Sequence, residues 1–436
     1  MAAAIDELEH LLRRTGFTAR PADVAALEGM TWEQAVDTVL DVSAAPAADA
    51  GKPTIAHRPA PTTDWSGDYS AMCHWWFDRC VTTPTPIVEK MLLFWHGHLT
   101  TSCASVPLGL VLDQHVRYRE LALGSYVDLV HAASIDPAML LYLDNKSNHR
   151  WNPNENFARE LLELFCLGIG NYTEDDVRAA ARAWTGHRLD DSDGGTWDYV
   201  FWSHWHDETD KTFLGVTSNW DGPAIIDHVL TGPTQGIAAR HLVRKLWAFF
   251  AYPDPEQTIL DDLAAVFVGA GMEILPLLRA LLLRPEFRSQ RSREQRLRSP
   301  IEYVVAVLAH TGLASATINP HWDVGAMGQS PFMPPNVDGW TSNEGWIATS
   351  TFWARHEFAE RIGWEIHDSG VLDGVEALSV DGAVASVFDL FGITQPSTVT
   401  WDRMRHLVSS VRAAQPWHEK WALIVTALQT PEFALA

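Results

Sequence analysis

Apolar residues recur at three- and four-residue spacing along most of this chain and strict alternation is scarce, so helices are expected throughout. Residues 3–14, 21–28 and 32–42 read as short amphipathic helices, and 44–67, rich in Ala, Pro and Gly, reads as a loop or linker. Thr85 as N-cap with Pro86 behind it opens a helix through Ile87, Met91, Leu92 and Phe94 that should stop near Gly97. Asn152-Pro153-Asn154-Glu155 starts another, ending at Gly168. Thr173 to Asp176 caps a third over Val177–Trp184, closed by Gly186, so residues 152–186 form an αα-hairpin. Further helices are expected at 236–251, 256–269, 272–283, 300–311, 350–365, 375–390, 400–414 and 416–430. Two long irregular segments, 188–222 and 312–349, interrupt them and are where a site would be assembled. The expected class is all-α, a multi-helix globular array with αα-hairpins and long ordered loops rich in Trp, Gly and Pro. It divides into an N-terminal helical subdomain and linker (1–66), a helical core (67–365) and a C-terminal helical subdomain packed on that core (366–436).

The chain has 436 residues, 47% of them hydrophobic, which is enough for a large core. Its 32 basic and 55 acidic residues leave a net charge of -23, which argues against nucleic acid or an anionic membrane as a general partner. No run of eighteen apolar residues occurs, and the start lacks the basic and apolar stretches of a signal peptide, so a cytoplasmic location is expected. Cysteines 73, 80, 103 and 166 have neither zinc-ribbon nor redox-pair spacing and are expected as buried thiols.

The candidate chemistry starts from Asn154 to Glu163. On a helix Asn156, Glu160 and Glu163 fall at i, i+4 and i+7 with Arg159 alongside, one polar strip flanked by Phe157, Leu161, Leu164 and Phe165. If both flanks are buried, the strip is buried too, and its carboxylates need cations, hydrogen bonds or a metal. His96 and His98 lie two residues apart. A continuous helix would point them apart, whereas a turn at Gly97 would bring them together. His204 and His206, followed by Asp207, would face one side of an extended chain. Arg178 and Arg182, at i and i+4 on the second helix of the hairpin, could meet Glu160 and Glu163, and Arg240, Arg244 and Lys245 add cations to an apolar helix. Trp95, Trp151, Trp184, Trp202, Trp205, Trp340 and Trp346 sit beside these motifs as candidate flat walls for a sugar, an aromatic ligand or a cation.

At this point the chain resembles a bacterial family known as domain of unknown function 1800. The resemblance is carried by Leu12 to Phe17, Phe94 to His98, Asn154 to Gly168, Tyr172 to Val177, Ala183 to Gly186, His206-Asp207 with Lys211 and Leu214-Gly215, Arg298-Ser299-Pro300, Met327 to Gln329, and Pro334 to Trp346. It implies a helical protein often encoded beside an alkaline-phosphatase-like or sulfatase-like partner, and it carries no settled activity. Relatives commonly read Trp-His-Asn-His where this chain has Gly97 between the histidines.

The leading expectation is a metal-dependent hydrolase acting on a small or carbohydrate-like anionic substrate. His96, His98 and His206, with Asp207 or Glu163, hold divalent zinc, manganese or iron and activate a water. Glu160 acts as general base, Arg159 or Arg182 orients the anion, and Asn156, Trp95 and Trp340 contact the substrate. Two alternatives stand beside it. Open positions on iron would support oxidation, and a buried Asn/Arg/Glu network with Trp-rich docking loops would make the chain a non-catalytic scaffold or maturation partner of an alkaline-phosphatase-like protein.

Overall fold

The computed structural model describes residues 2–60, 62–192 and 196–435, and α-helices dominate them. Two short antiparallel hairpins, His187–Leu189 with Tyr199–Phe201 and Lys211–Phe213 with Val216–Ser218, lie in the irregular region before residue 222. The protein is all-α.

Strongly capped helices form behind the caps that predict them, although the helix read from Val177 already starts at Glu174. Thr173 and Asp176 exchange the reciprocal bonds of a capping box, as do Ser299 and Glu302, and Pro300 fits the first turn behind its serine cap. Helices Gln235–Phe250, Gln257–Gly269, Ile274–Leu283 and Pro300–Thr311 follow the apolar spacing that predicts them. Helices Leu108–Leu121, Tyr126–Ser134, Pro137–Tyr142 and Gly222–Leu230 were not among those expected, and two further segments differ in form. The helix expected from Asn152 begins with one α-turn over Asn156–Glu160, with the Asn156 amide donating to Asn154 Oδ1 at 3.0 Å, and then widens into a π-helix over Leu161–Cys166. The amides of Leu167 and Gly168 both reach back to the Leu162 carbonyl, at 2.8 and 3.1 Å. The stretch read as linker ends early, because Asp64 caps a helix over Trp65–Thr82 by accepting from the Gly67 amide. That helix buries Tyr69, Met72, Cys73, Trp76, Phe77 and Cys80, a continuous i, i+3, i+4, i+7 stripe. Each large apolar side chain on it is worth roughly 1.5–3 kcal/mol in burial.

Residues 46–50 of the linker are held by hydrogen bonds from buried cations and an indole. The carbonyls of Pro46, Ala48 and Ala50 accept from Arg79, Arg119 and Trp75.

Two hydrophobic cores form. One joins the first three helices to residues 87–99, 118–143, 157–184 and 225–287; the other joins 69–80, 103–112, 301–308 and the helices after 354. Residues before 66 and after 366 thus share their cores with the middle of the chain. Trp32, for example, donates its indole N–H to the Leu282 carbonyl at 3.0 Å. Neighbouring residues of helix Pro86–His98 divide between the cores: Leu93 belongs to the second, Phe94 to the first, and Phe249 packs against both. Among the described residues no helix is long and apolar enough to cross a membrane.

Candidate functional site

A cavity of 340 Å³ opens at this seam, within the size range of small-molecule sites. The end of helix Pro86–His98 supplies Phe94, Gly97 and His98, and helix Gln235–Phe250 supplies Lys245 and Phe249. Arg296 to Ser299, Gln329 and the loop Asp338–Trp346 close it. That loop is pinned at both ends. Asn343 accepts from the Leu297 amide and donates to the Gln295 carbonyl, each at 2.9 Å. Gly339 has φ +86°, and a Cβ there would overlap the Gly97 carbonyl oxygen, so only glycine lets the two backbones touch.

The floor of the cavity is built on the end of the π-helix, whose last carbonyls have no partner within the helix. Lys245 Nζ and His241 Nε2 both donate to the Leu164 carbonyl, at 3.0 and 2.9 Å, and the Tyr126 hydroxyl donates to the Phe165 carbonyl. Cations at a helix C-terminus also suit its dipole. Gly168, at φ +79°, leaves room for the His241 ring, whose Nδ1 a Cβ would crowd to 2.8 Å. These bonds fix the tautomer of His98. Since the Tyr126 hydroxyl gives its hydrogen to Phe165, its oxygen accepts from His98 Nε2 at 3.3 Å, and His98 Nδ1 accepts from Lys245 Nζ at 3.3 Å. Burial, reinforced by the Lys245 charge, pushes the His98 pKa well down and keeps the ring neutral. Burial also lowers Lys245, against the opposing pull of Asp338, and takes His241 down to about 4.

The match to known proteins is to one family model, described as a protein of unknown function (DUF1800), over residues 10–435. This chain belongs to the DUF1800 family. Neither a curated protein nor a solved structure matches it. Four of the segments that carry the DUF1800 resemblance, 94–98, 298–300, 327–329 and 334–346, contribute walls of this cavity, and a fifth, 154–168, supplies the carbonyls behind Lys245.

The residues expected to act together in this DUF1800 chain are dispersed. Helix Pro86–His98 runs unbroken through Gly97, so His96 and His98 leave it on different sides, which corrects the turn expected there. His96 enters an aromatic box of Trp76, His115, Phe332 and Trp340, with ring centroids 5.0–6.1 Å away, and burial takes it down to about 3. His204 lies on an exposed single 3-10 turn, so it does not share a face with His206, which is buried with its Nδ1 at 2.8 Å from the Thr185 carbonyl. Asp207 accepts from Arg182 Nε at 2.7 Å, and despite burial that bond holds its carboxyl far below the usual range. Glu163 accepts from the Tyr172 hydroxyl at 2.8 Å. Among the described residues no three His, Cys, Asp or Glu side chains gather into a metal-binding group.

The polar strip is not buried, because Leu164 on its flank is itself half-buried. Asn156 is exposed, while Arg159, Glu160 and Glu163 are half-buried. Arg159 bonds Glu155 at 3.0 Å and both oxygens of Glu174 at 2.7 and 2.8 Å, and Arg178 pairs with Asp175. The arginines therefore meet local carboxylates in place of Glu160 and Glu163. Burial and Glu163 raise the Glu160 carboxyl, with a contribution from Asp338. Trp95 is fully buried, donating to the Ala122 carbonyl at 2.9 Å, and belongs to the core. Trp202 and Trp205 clasp the protein's own Arg188, 4.3 and 3.8 Å from their ring centres. Of the expected wall residues, Trp340 and Trp346 line the cavity.

Tyr126, His241, Arg296, Asp338 and Asn343 were not legible as site residues. One signal was available for the floor: His241, Lys245 and Phe249 repeat at i, i+4 and i+8, which puts two nitrogen groups on the buried side of an apolar helix.

Proposed function

We propose that the cleft binds a small anionic molecule and that the protein is an enzyme acting on it, with hydrolysis as the favoured chemistry. The observation that carries this reading is charge. In a chain with 23 more acidic than basic residues, the cavity is lined by Lys245, which makes no ion pair among the described residues, by Arg296, which shares its charge with buried Glu302, and by one carboxylate, Asp338. Ser299, Gln329 and Asn343 add hydrogen-bonding groups, and Trp340 and Trp346 offer flat faces suited to a sugar ring or another planar ligand. Lys245, backed by neutral His98 and Tyr126, is the group placed to take a proton from water, and Glu160 beyond Asp338 is a second titrating group on that side. No step runs through zinc, manganese or iron, since His206, Asp207 and Glu163 each meet other partners and His96 is enclosed by aromatic rings. Elemental analysis before and after chelator dialysis checks that choice: stoichiometric metal would move water activation to the ion.

Titration calorimetry against phosphate, sulfate, sugar phosphates and uronates tests the reading. At least one anion is expected to bind, and Lys245→Met is expected to weaken it roughly 10-fold or more, the usual worth of a charged hydrogen bond. Indifference to every anion, or unchanged affinity in the variant, would overturn it. A second reading is favoured by one observation: Ile347, Phe352 and Trp353, which follow the cavity residue Trp346, are 61%, 57% and 58% exposed. That patch suits docking of a partner protein, in the scaffold role.

A further inference from the structure

The six lysines of the chain are not equivalent. Lys52, Lys146 and Lys420 contact Asp113, Asp191 and Asp373 at 2.6, 3.3 and 2.7 Å, and Lys90 contacts Glu302. Lys211 makes no ion pair among the described residues but gives its three hydrogens to the Asp207 carbonyl, Asn219 Oδ1 and the Trp220 carbonyl. Lys245 alone combines three properties. It makes no ion pair among the described residues, it has only two hydrogen-bond partners, His98 Nδ1 and the Leu164 carbonyl, and it lines a cavity large enough for a small molecule. An amine withdrawn from water with no carboxylate at ion-pair distance gives up its proton more readily than an exposed one, so more of it is present in the neutral, nucleophilic form.

We infer that Lys245 forms a Schiff base with the aldehyde or keto group of a small anionic carbonyl compound. The amine nitrogen bonds to the carbonyl carbon as the C=O π electrons move to oxygen. A proton then passes from nitrogen to that oxygen, giving a carbinolamine, and loss of water leaves C=N. Amine plus carbonyl gives imine plus water, with no net oxidation or reduction. Arg296, on the same cavity wall as Ser299, gives Nη2 to Glu302 but has no partner for Nη1 among the described residues, so that nitrogen is the donor for the carboxylate or phosphate of the ligand, and Trp340 flanks the space between. This inference rests on reading the cleft as an anion site and adds the reactive group of the substrate.

The test is reductive trapping on the intact protein with glyoxylate, pyruvate or pyridoxal 5′-phosphate and cyanoborohydride, followed by peptide mass mapping. The expected adduct is on Lys245, ahead of the more accessible Lys52 and Lys146, and phosphate should compete it away. Lys245→Arg keeps the charge and a donor for the Leu164 carbonyl but cannot form an imine, so it should still bind phosphate and yield no adduct at residue 245. Phosphate binding with Lys245 unlabelled would overturn the inference and leave the anion site standing, with Lys245 serving only to cap the helix end. Neither binding nor labelling would remove both. Labelling that merely follows exposure, with Lys52 and Lys146 ahead of Lys245, would also overturn it.

Discussion

Lowering the pH from 7.5 to 5.5 is expected to remove about 7 kcal/mol of the stability of this protein. His10, His96, His98, His115 and His187 are buried, and burial depresses all five, with His96 near 3 and His187 near 4. Their folded pKa values lie below the unfolded value of about 6.5, so between those limits the unfolded chain binds the extra protons and stability falls as pH falls. One pH unit below 6.5, each histidine costs about 1.4 kcal/mol, so the five together cost about 7 kcal/mol. A domain's whole stability is about 5–15 kcal/mol. Urea unfolding followed by circular dichroism at the two pH values measures this, and an unchanged midpoint would refute it. His115→Phe is the informative variant, because neither His115 ring nitrogen has a hydrogen-bond partner among the described residues and replacement strands none of them. It should flatten the pH dependence by roughly a fifth, one histidine's share.

The second large effect is expected at Glu302, which is fully buried. One oxygen accepts from Arg296 at 2.7 Å and from Lys90, and the other accepts from the Ser299 amide at 2.8 Å. Although burial opposes ionisation, Arg296 and Lys90 hold the carboxyl far below its usual range, so the group is a buried anion shared by two cations. Removing one member of such a set strands the others, typically at about 3–5 kcal/mol. Glu302→Leu is therefore expected to lower the urea midpoint by that equivalent. Adding Lys90→Met should restore part of it by removing one stranded cation. A loss below about 1 kcal/mol in the single variant, or no recovery in the double, would show that water reaches the network.

The capped helices were legible because caps and apolar spacing are local properties. Ser299, Pro300 and Glu302 specify a helix start within four residues. Helix Trp65–Thr82 was not, since Trp75 and Val81 lie off its stripe and blur the contrast between its apolar and polar faces. Arg79 is satisfied only by Glu89 and by carbonyls some thirty residues upstream. The π-helix was equally hidden, because the donors that meet its terminal carbonyls come from Tyr126, His241 and Lys245 on other helices. For the histidine pair both geometries were visible in the sequence, and the unbroken helix through Gly97 selects the one that separates them. The loop 312–349 and Trp340 were recognisable as site material, and Lys245 as a cation in an apolar helix. What the sequence could not display was that Lys245 makes no ion pair among the described residues, which depends on how six lysines and their acids are distributed in space.

All four thiols are buried. Burial pushes Cys166 and Cys103 up to about 12, so a soluble disulfide reagent meets a reactive thiolate only when the structure opens. Cys166 belongs to the first core, beside the Phe165 carbonyl, whereas Cys73, Cys80 and Cys103 belong to the second. Labelling rates therefore time the breathing of each core separately. A molecule bridging Lys245 and Arg296 would slow the first timer by bracing the wall behind it and, by joining both sides of the seam, would show through the other three whether the two cores open as one unit.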